Sequence, residues 1–148
     1  MGFAAVLIAI LAVVGCGGDS ALSQAEYSQQ LELVCNKGLQ ERETLVNSIN
    51  REVQEQQKST LTPDEQAENL RKLMAVYQDQ TVEKIKELGL PEQEPEQVEE
   101  LIEEMEEASA KVIATPRTAV ESLQAIFKEA DEAADSLGVQ SCNFANKS

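Results

Sequence analysis

Thr115-Pro116-Arg117-Thr118 is the stretch that decides how many helices this chain forms. Proline inside a helix costs about 3 kcal/mol or more, and it disfavours helical geometry at the residue before it. We therefore expect Thr115 to cap a new helix that has Pro116 as its first residue. The alternative is one long helix that is only kinked at Pro116. The first interpretation predicts four helices, and the second predicts three.

Helices are predicted on both sides of this stretch, because apolar residues recur there at helical spacing. The upstream helix opens at Pro95, and the downstream helix closes at Gly138. The upstream stripe consists of Val98, Leu101, Ile102, Met105, Ala108 and Val112. The downstream stripe consists of Val120, Leu123, Ile126, Phe127, Ala130, Ala133, Ala134 and Leu137.

Two capping boxes mark the starts of two earlier helices. Ser23-Gln24-Ala25-Glu26 and Thr62-Pro63-Asp64-Glu65 each place a hydroxyl residue three positions before a glutamate. We expect the first helix to run to about Lys58. The second should end at Gly89, because a glycine closes helices well and Pro91 prevents continuation. The first stripe runs through Tyr27, Leu31, Val34, Cys35, Gly38, Leu45, Val46, Ile49 and Val53, and the second through Ala67, Leu70, Leu73, Met74, Tyr77, Thr81, Ile85 and Leu88.

Two residues on the first stripe are unusual for an apolar helix face. Gly38 costs up to about 1 kcal/mol relative to alanine, which indicates a closely packed neighbour or a bend at this point. Arg42 falls on the same face, and we expect its stem to pack while its guanidinium reaches water.

These elements predict an all-α fold, an up-down-up-down four-helix bundle preceded by a signal-peptide helix. The alternative is three long helices with the last kinked at Pro116. Residues 1–15 are assigned to a lipoprotein signal peptide, residues 16–22 to a flexible tether and residues 23–148 to the bundle domain.

The N-terminal segment is typical of an export signal. Residues 2–14 are apolar without interruption, which is shorter than the roughly 20 residues that a spanning helix needs and suits a signal-peptide core. The run ends at Val13-Val14-Gly15-Cys16, which resembles a bacterial lipobox, although no Lys or Arg precedes it. The resemblance implies a diacylglyceryl group on Cys16 and a place on the extracytoplasmic side of the cell membrane. The alternative is an ordinary secreted protein with an incidental cysteine.

The cysteine count favours a disulfide. If Cys16 of the three cysteines is lipidated, Cys35 and Cys142 remain, an even number in an oxidising compartment. Four antiparallel helices would return the end of the last helix to the end of the bundle at which Cys35 lies, whereas three would deliver Cys142 to the opposite end. A bridge therefore favours the four-helix interpretation. The alternative is that Cys35 is only a small buried hydrophobe and Cys142 a free thiol.

The two ends of the predicted domain resemble a group of small actinobacterial exported proteins and lipoproteins. The matching frames are Leu22-Ser23-Gln24-Ala25-Glu26-Tyr27, followed by Val34-Cys35, and the closing Leu137-Gly138-Val139-Gln140-Ser141-Cys142. In that group a helical domain is bracketed by an early helix cysteine and a final cysteine. The resemblance implies the same disulfide between the two cysteines, and it implies no particular activity.

Composition excludes several classes of function. The net charge of −15 would repel a phosphate backbone, so we expect no nucleic acid partner. The chain has no histidine, which excludes histidine-based triads and removes the commonest ligand of transition metals. No glycine-rich phosphate loop is present either. We therefore predict no enzyme activity, no catalytic residues, no metal site and no cofactor.

Residues 92–107 contain nine glutamates and no basic residue. One interpretation is a surface for a cation or a basic partner. The other, which we favour, is a solvated helix face that keeps the protein soluble. No acidic loop of the kind that binds calcium tightly appears in the sequence.

Two functions are compatible with these features. The first is a membrane-anchored structural or protein-interaction module of the cell envelope, which would have an envelope protein as its partner. The second is an extracytoplasmic binding protein for a small cationic or apolar ligand. The first is preferred, because the apolar stripes contain no unpaired polar group that calls for a ligand.

Overall fold

The computed structural model describes residues 22–144, and within this range the protein contains helices and no strand. The leader, the lipobox and most of the tether lie outside the described residues, so the predicted signal-peptide helix does too. The elements are α1 (Gln24–Glu55), α2 (Pro63–Tyr77), a π-helical turn (Gln78–Val82), α3 (Glu83–Glu87), α4 (Pro95–Ala114), α5 (Pro116–Ala119), α6 (Leu123–Ile126), α7 (Lys128–Ser136) and a 3₁₀ turn (Gln140–Cys142).

The predicted helix starts are confirmed at both capping boxes. The Ser23 hydroxyl accepts the backbone N–H of Glu26 at 3.4 Å, and the Glu26 carboxylate accepts the Ser23 N–H at 3.2 Å. Thr62 and Glu65 make the same pair of bonds at the start of α2. Each box satisfies two backbone donors that would otherwise lack partners.

The predicted helix ends are close to the observed ones. Gly89 and Gly138 have φ values of 74° and 72°, the left-handed geometry that glycine adopts without strain. The first helix ends at Glu55, slightly before the predicted Lys58, because Gln57 has already turned to a φ of 52°.

The helices form an antiparallel bundle, which confirms the all-α fold class. α1 packs against α2 and the π-helical turn, α2 packs against α4, and α4 packs against α7. The 3₁₀ turn at the C-terminus lies against α1 and closes the bundle. The buried apolar core contains Tyr27, Leu31, Met74, Tyr77, Val82, Ile85, Val98, Leu101, Met105, Val112 and Phe127.

The fourth helix differs from the prediction because it is broken twice. Pro116 does begin a new segment, but turns after α5 and at Phe127 divide the rest. Hydroxyls bond to nearby carbonyls here, Thr118 to Thr115 at 3.1 Å and Ser122 to Thr118 at 3.2 Å, and such bonds compete with regular helix. The break at Phe127 accompanies complete burial of its ring.

Gly38 packs closely against the π-helical turn, as its place on the stripe predicted. A Cβ atom added to Gly38 would overlap the Thr81 hydroxyl and would lie 3.1 Å from the Gln80 carbonyl oxygen. The π-helical turn itself was not predicted. It places Thr81 and Val82 side by side in the core, where each is almost fully buried.

Candidate interaction site

A disulfide joins the first half of α1 to the C-terminal segment. Cys35 of α1 and Cys142 of the 3₁₀ turn are joined by an S–S bond of 1.99 Å, with their Cα atoms 4.8 Å apart. The neighbours Val139, Ser141 and Asn143 are buried with them. Cys35 lies about 17 Å along α1 from its first residue.

Three aromatic rings fill the space behind the disulfide. Phe127 stacks on Phe144 with ring centroids 3.9 Å apart, and Tyr77 meets both rings edge-on at 5.4 and 5.2 Å. The backbone N–H of Phe144 donates to the Asp131 carboxylate at 2.7 Å, and the Asn143 amide donates to Asp135 at 3.0 Å. These contacts hold the C-terminal segment against α7 as well as against α1.

Arg42 was expected to reach water with its guanidinium, and that expectation is wrong. Its side chain is only 6% exposed, and its guanidinium carbon lies 5.2 Å from the Tyr77 ring centroid and 4.8 Å from that of Phe144. Burial lowers the pKa of Arg42, while the negative charge of Asp131 acts in the opposite direction. The aromatic faces offer the cation attractive partners in place of water.

The second half of α1 is covered much less than the first. Every buried residue of α1 lies at or before Arg42, although the apolar stripe continues to Val53. Val46 is 41% exposed, and Ile49 and Val53 are only partly buried. The described part of the C-terminal segment lies against the first half of α1 through the disulfide at Cys35, and α7 packs against α4.

An apolar groove lies along this uncovered half. Its volume is about 220 Å³, and it is lined by Val46, Ile49, Leu61, Gln66, Asn69, Leu70, Leu73, Val120 and Leu123. Val120, on the turn that breaks the fourth helix, is 40% exposed at its edge. The groove begins about 17 Å along α1 beyond the disulfide and about 35 Å from Ser23.

The groove continues into a more polar cleft of about 350 Å³ that shares Ile49, Leu61 and Asn69 with it. Carboxylates of Glu52, Asp64, Glu65 and Glu68 line this cleft together with Lys72. Asp64 pairs with Arg117, Glu65 with Lys58 and Glu68 with Arg71. Among the described residues, Glu52 takes part in no ion pair.

The Glu65 carboxylate beside the groove is ionised at neutral pH. Lys58 and the capping bonds from Thr62 lower the pKa of Glu65 to about 2. The groove therefore has an apolar floor and opens at one end onto carboxylates, three of them ion-paired and one, Glu52, without an ion pair among the described residues.

The glutamate-rich face of α4 is a second surface, and its charge is partly neutralised. Lys86 bonds to both Glu83 and Glu106 at 3.0 Å, and Lys111 pairs with Glu107 at 2.8 Å. Desolvation and the neighbouring Glu107 and Glu129 raise the pKa of Glu104. Within residues 22–144, no group of three or more acidic or cysteine side chains is placed to hold a metal ion.

The structure brings together two of the three predicted site residues. Cys35 and Cys142 form the disulfide, whereas Cys16, the predicted lipidation site, lies outside the described residues. None of the helices between residues 22 and 144 is both long enough and apolar enough to cross a membrane.

Comparison with known proteins gives no relative: no family model matches the chain, and no curated protein or solved structure is significantly similar to it.

Sequence reasoning missed the groove. The sequence predicts one apolar stripe along the whole of α1, but the partner that covers each turn of a helix is not visible in the sequence. One signal was available, since Thr118 and Ser122 lie on either side of Val120 and their hydroxyls can bond to nearby carbonyls in competition with helix.

Proposed function

We propose that this protein is a lipid-anchored interaction module of the cell envelope, held to the extracytoplasmic face of the membrane through Cys16. The lipobox-like Val13-Val14-Gly15-Cys16 supports the anchor. The resemblance to small exported lipoproteins supports it as well. Because the domain is strongly acidic, its own surface would not adsorb to anionic lipid.

The single observation that carries the interaction role is the placement of the apolar groove. It lies along the second half of α1, far from the tether, whereas the disulfide and the C-terminal segment cover the first half, which follows the tether. A protein anchored at Cys16 would hold the groove away from the membrane surface, where another envelope protein can reach it. Contiguous exposed apolar surface of this kind is typical of interaction sites.

The anchor is tested by the Cys16→Ser variant. The wild-type chain should fractionate with the membrane, and the variant should appear in the soluble extracytoplasmic fraction or the medium. A variant that stays in the membrane fraction would contradict the anchor. Leu33→Ser, which changes an exposed residue of α1 in the same way, is the matched control and should remain membrane-bound.

The interaction role is tested by photocrosslinking in living cells. A photoreactive residue at Val46 or Val120 should give the same crosslinked envelope protein, and one at Leu33 or Ile113 should not, although all four side chains are exposed. No crosslink at either groove position, or equal crosslinks at all four, would contradict the role.

A further inference from the structure

The shape of the groove limits the classes of molecule that it can bind. Small-molecule sites usually enclose about 300 to 1,000 Å³ and bury most of their ligand. The groove and its polar continuation offer about 220 and 350 Å³, but both are open along their length and would leave much of a small ligand exposed. The groove therefore fits one face of an extended object better than a small ligand.

The groove also has the shape that a further helix of the bundle would fill. Its walls come from the antiparallel pair α1 and α2 and from the turn between α5 and α6. Because the fourth helix is broken here, no helix within residues 22–144 covers the exposed side of this part of α1. From Val46 to Gln56, the groove and its polar continuation follow α1 for about 15 Å, which is the length of two to three helical turns.

Charge distinguishes the two remaining candidates for binding in the groove, a second copy of this chain and a helix of another protein. A second copy of this chain would also carry a net charge of −15, and the two surfaces would repel each other. The polar end of the groove presents Glu52, which has no ion pair among the described residues, beside three carboxylates whose partners are exposed. Exposed ion pairs are weak, so a basic partner can compete for these carboxylates.

We infer that the groove binds an amphipathic helix of another protein, two to three turns long, with large aliphatic side chains on one face and Lys or Arg beside that face. This inference rests on the proposed function. The aliphatic side chains would enter between Val46 and Val120, and a basic residue at one end of the helix would lie against Glu52. Recognition by helix-in-groove packing uses aliphatic anchors spaced one turn apart, which the open groove accommodates.

The test uses the exported chain carrying Cys16→Ser, so that no detergent is needed, and three labelled synthetic peptides of about four helical turns. The first peptide has a leucine face flanked by lysines, the second has glutamates in place of the lysines, and the third is a scrambled version of the first. Fluorescence anisotropy measures their affinities. We expect saturable binding of the lysine peptide, binding of the glutamate peptide that is weaker by about tenfold or more, and no saturable binding of the scrambled peptide.

Groove variants decide where the lysine peptide binds. Val46→Asn combined with Val120→Asn should weaken its binding by about tenfold, because two apolar contacts are lost. Leu33→Asn, which makes the same change at a 65% exposed position of α1 outside the groove, should leave it unchanged. Glu52→Gln should weaken it by about two- to fivefold, and the difference from wild type should shrink at high salt.

Three results would overturn the inference: equal binding of the lysine and scrambled peptides, equal binding of the lysine and glutamate peptides, or equal affinity in the groove variant and Leu33→Asn. A concentration-dependent dimer that Val46→Asn abolishes would also overturn it, because the occupant would then be a second copy. If the peptides fail but crosslinks at Val46 persist in cells, the interaction role survives and the helical class of partner is wrong.

Discussion

The two halves of α1 have the same kind of sequence and different surroundings. Up to Arg42 the apolar stripe is covered by α2, the π-helical turn and the disulfide-bonded C-terminal segment. From Leu45 onward the stripe is equally regular, yet no residue of it is buried. The difference shows that a periodic apolar face marks where a helix will contact something, and that the partner for the second half need not belong to the same chain.

Removing the disulfide should have the largest effect, because it releases the element that covers the first half of α1. The double variant Cys35→Ala with Cys142→Ala should lose about 2 to 5 kcal/mol of unfolding free energy, since the bond closes a loop with a sequence separation of 107. Urea denaturation measures the loss, and intact mass with and without reductant checks the bond in wild type. A loss below about 1 kcal/mol would mean that the C-terminal segment holds without it.

Gly38→Ala should have the second-largest effect, and its sign is the informative part. Helix propensity alone would stabilise the protein by up to about 1 kcal/mol. Because the new Cβ atom would overlap the Thr81 hydroxyl, we expect a destabilisation of about 1 to 3 kcal/mol instead.

Adding Thr81→Ala to Gly38→Ala removes the overlapping hydroxyl and should recover part of this loss in the same urea experiment. A stabilised Gly38→Ala protein would show that the π-helical turn lies farther from α1 than the 3.1 Å between an added Cβ atom and the Gln80 carbonyl oxygen implies.

Alkaline titration reports on the covered first half of α1, because Tyr27 is buried on it and Tyr77 is buried against Arg42. Burial raises the pKa of Tyr27 from an ordinary 10 to about 12, and burial also raises that of Tyr77. The neutral phenols favour the folded state, so their contribution is complete below pH 10 and is lost as the pH rises through 12.

Absorbance of the phenolate should therefore remain low at pH 11 and rise together with loss of helical circular dichroism. Tyrosines that ionise near pH 10 while the helices persist would contradict the burial of Tyr27 and Tyr77.

Substitutions in the groove should have the smallest effect on stability. Val46→Asn and Val120→Asn each remove a side chain that is about 40% exposed, so each should change the unfolding free energy by about 0.5 kcal/mol or less. Leu33→Asn is the matched control for the change in helix propensity. A loss of 2 kcal/mol or more at Val46 would show that the groove is filled in the folded protein.

Local signals in the sequence predicted most of the fold. The capping boxes, Pro95, Pro116 and the two closing glycines each act within a few residues, so they located helix starts and ends. The cysteine count predicted a bridge between Cys35 and Cys142, and such a bridge favoured four antiparallel helices.

Features that depend on distant packing could not be predicted in the same way. The π-helical turn packs against Gly38, which is 40 or more residues away in the sequence. The guanidinium of Arg42 is buried because two aromatic rings from separate elements lie against it. The groove exists because the fourth helix breaks beside Val120, and an apolar stripe contains no information about which of its turns remain uncovered.

Amide hydrogen exchange of the free protein tests the difference between the two halves of α1 most directly. We expect amides from Leu31 to Arg42 to exchange only through global unfolding, and amides from Val46 to Val53 to exchange faster, through local opening of the uncovered half. Denaturant dependence separates these two routes. Equal protection along the whole of α1, with a shared denaturant dependence, would contradict a covered first half and an uncovered second half of this helix.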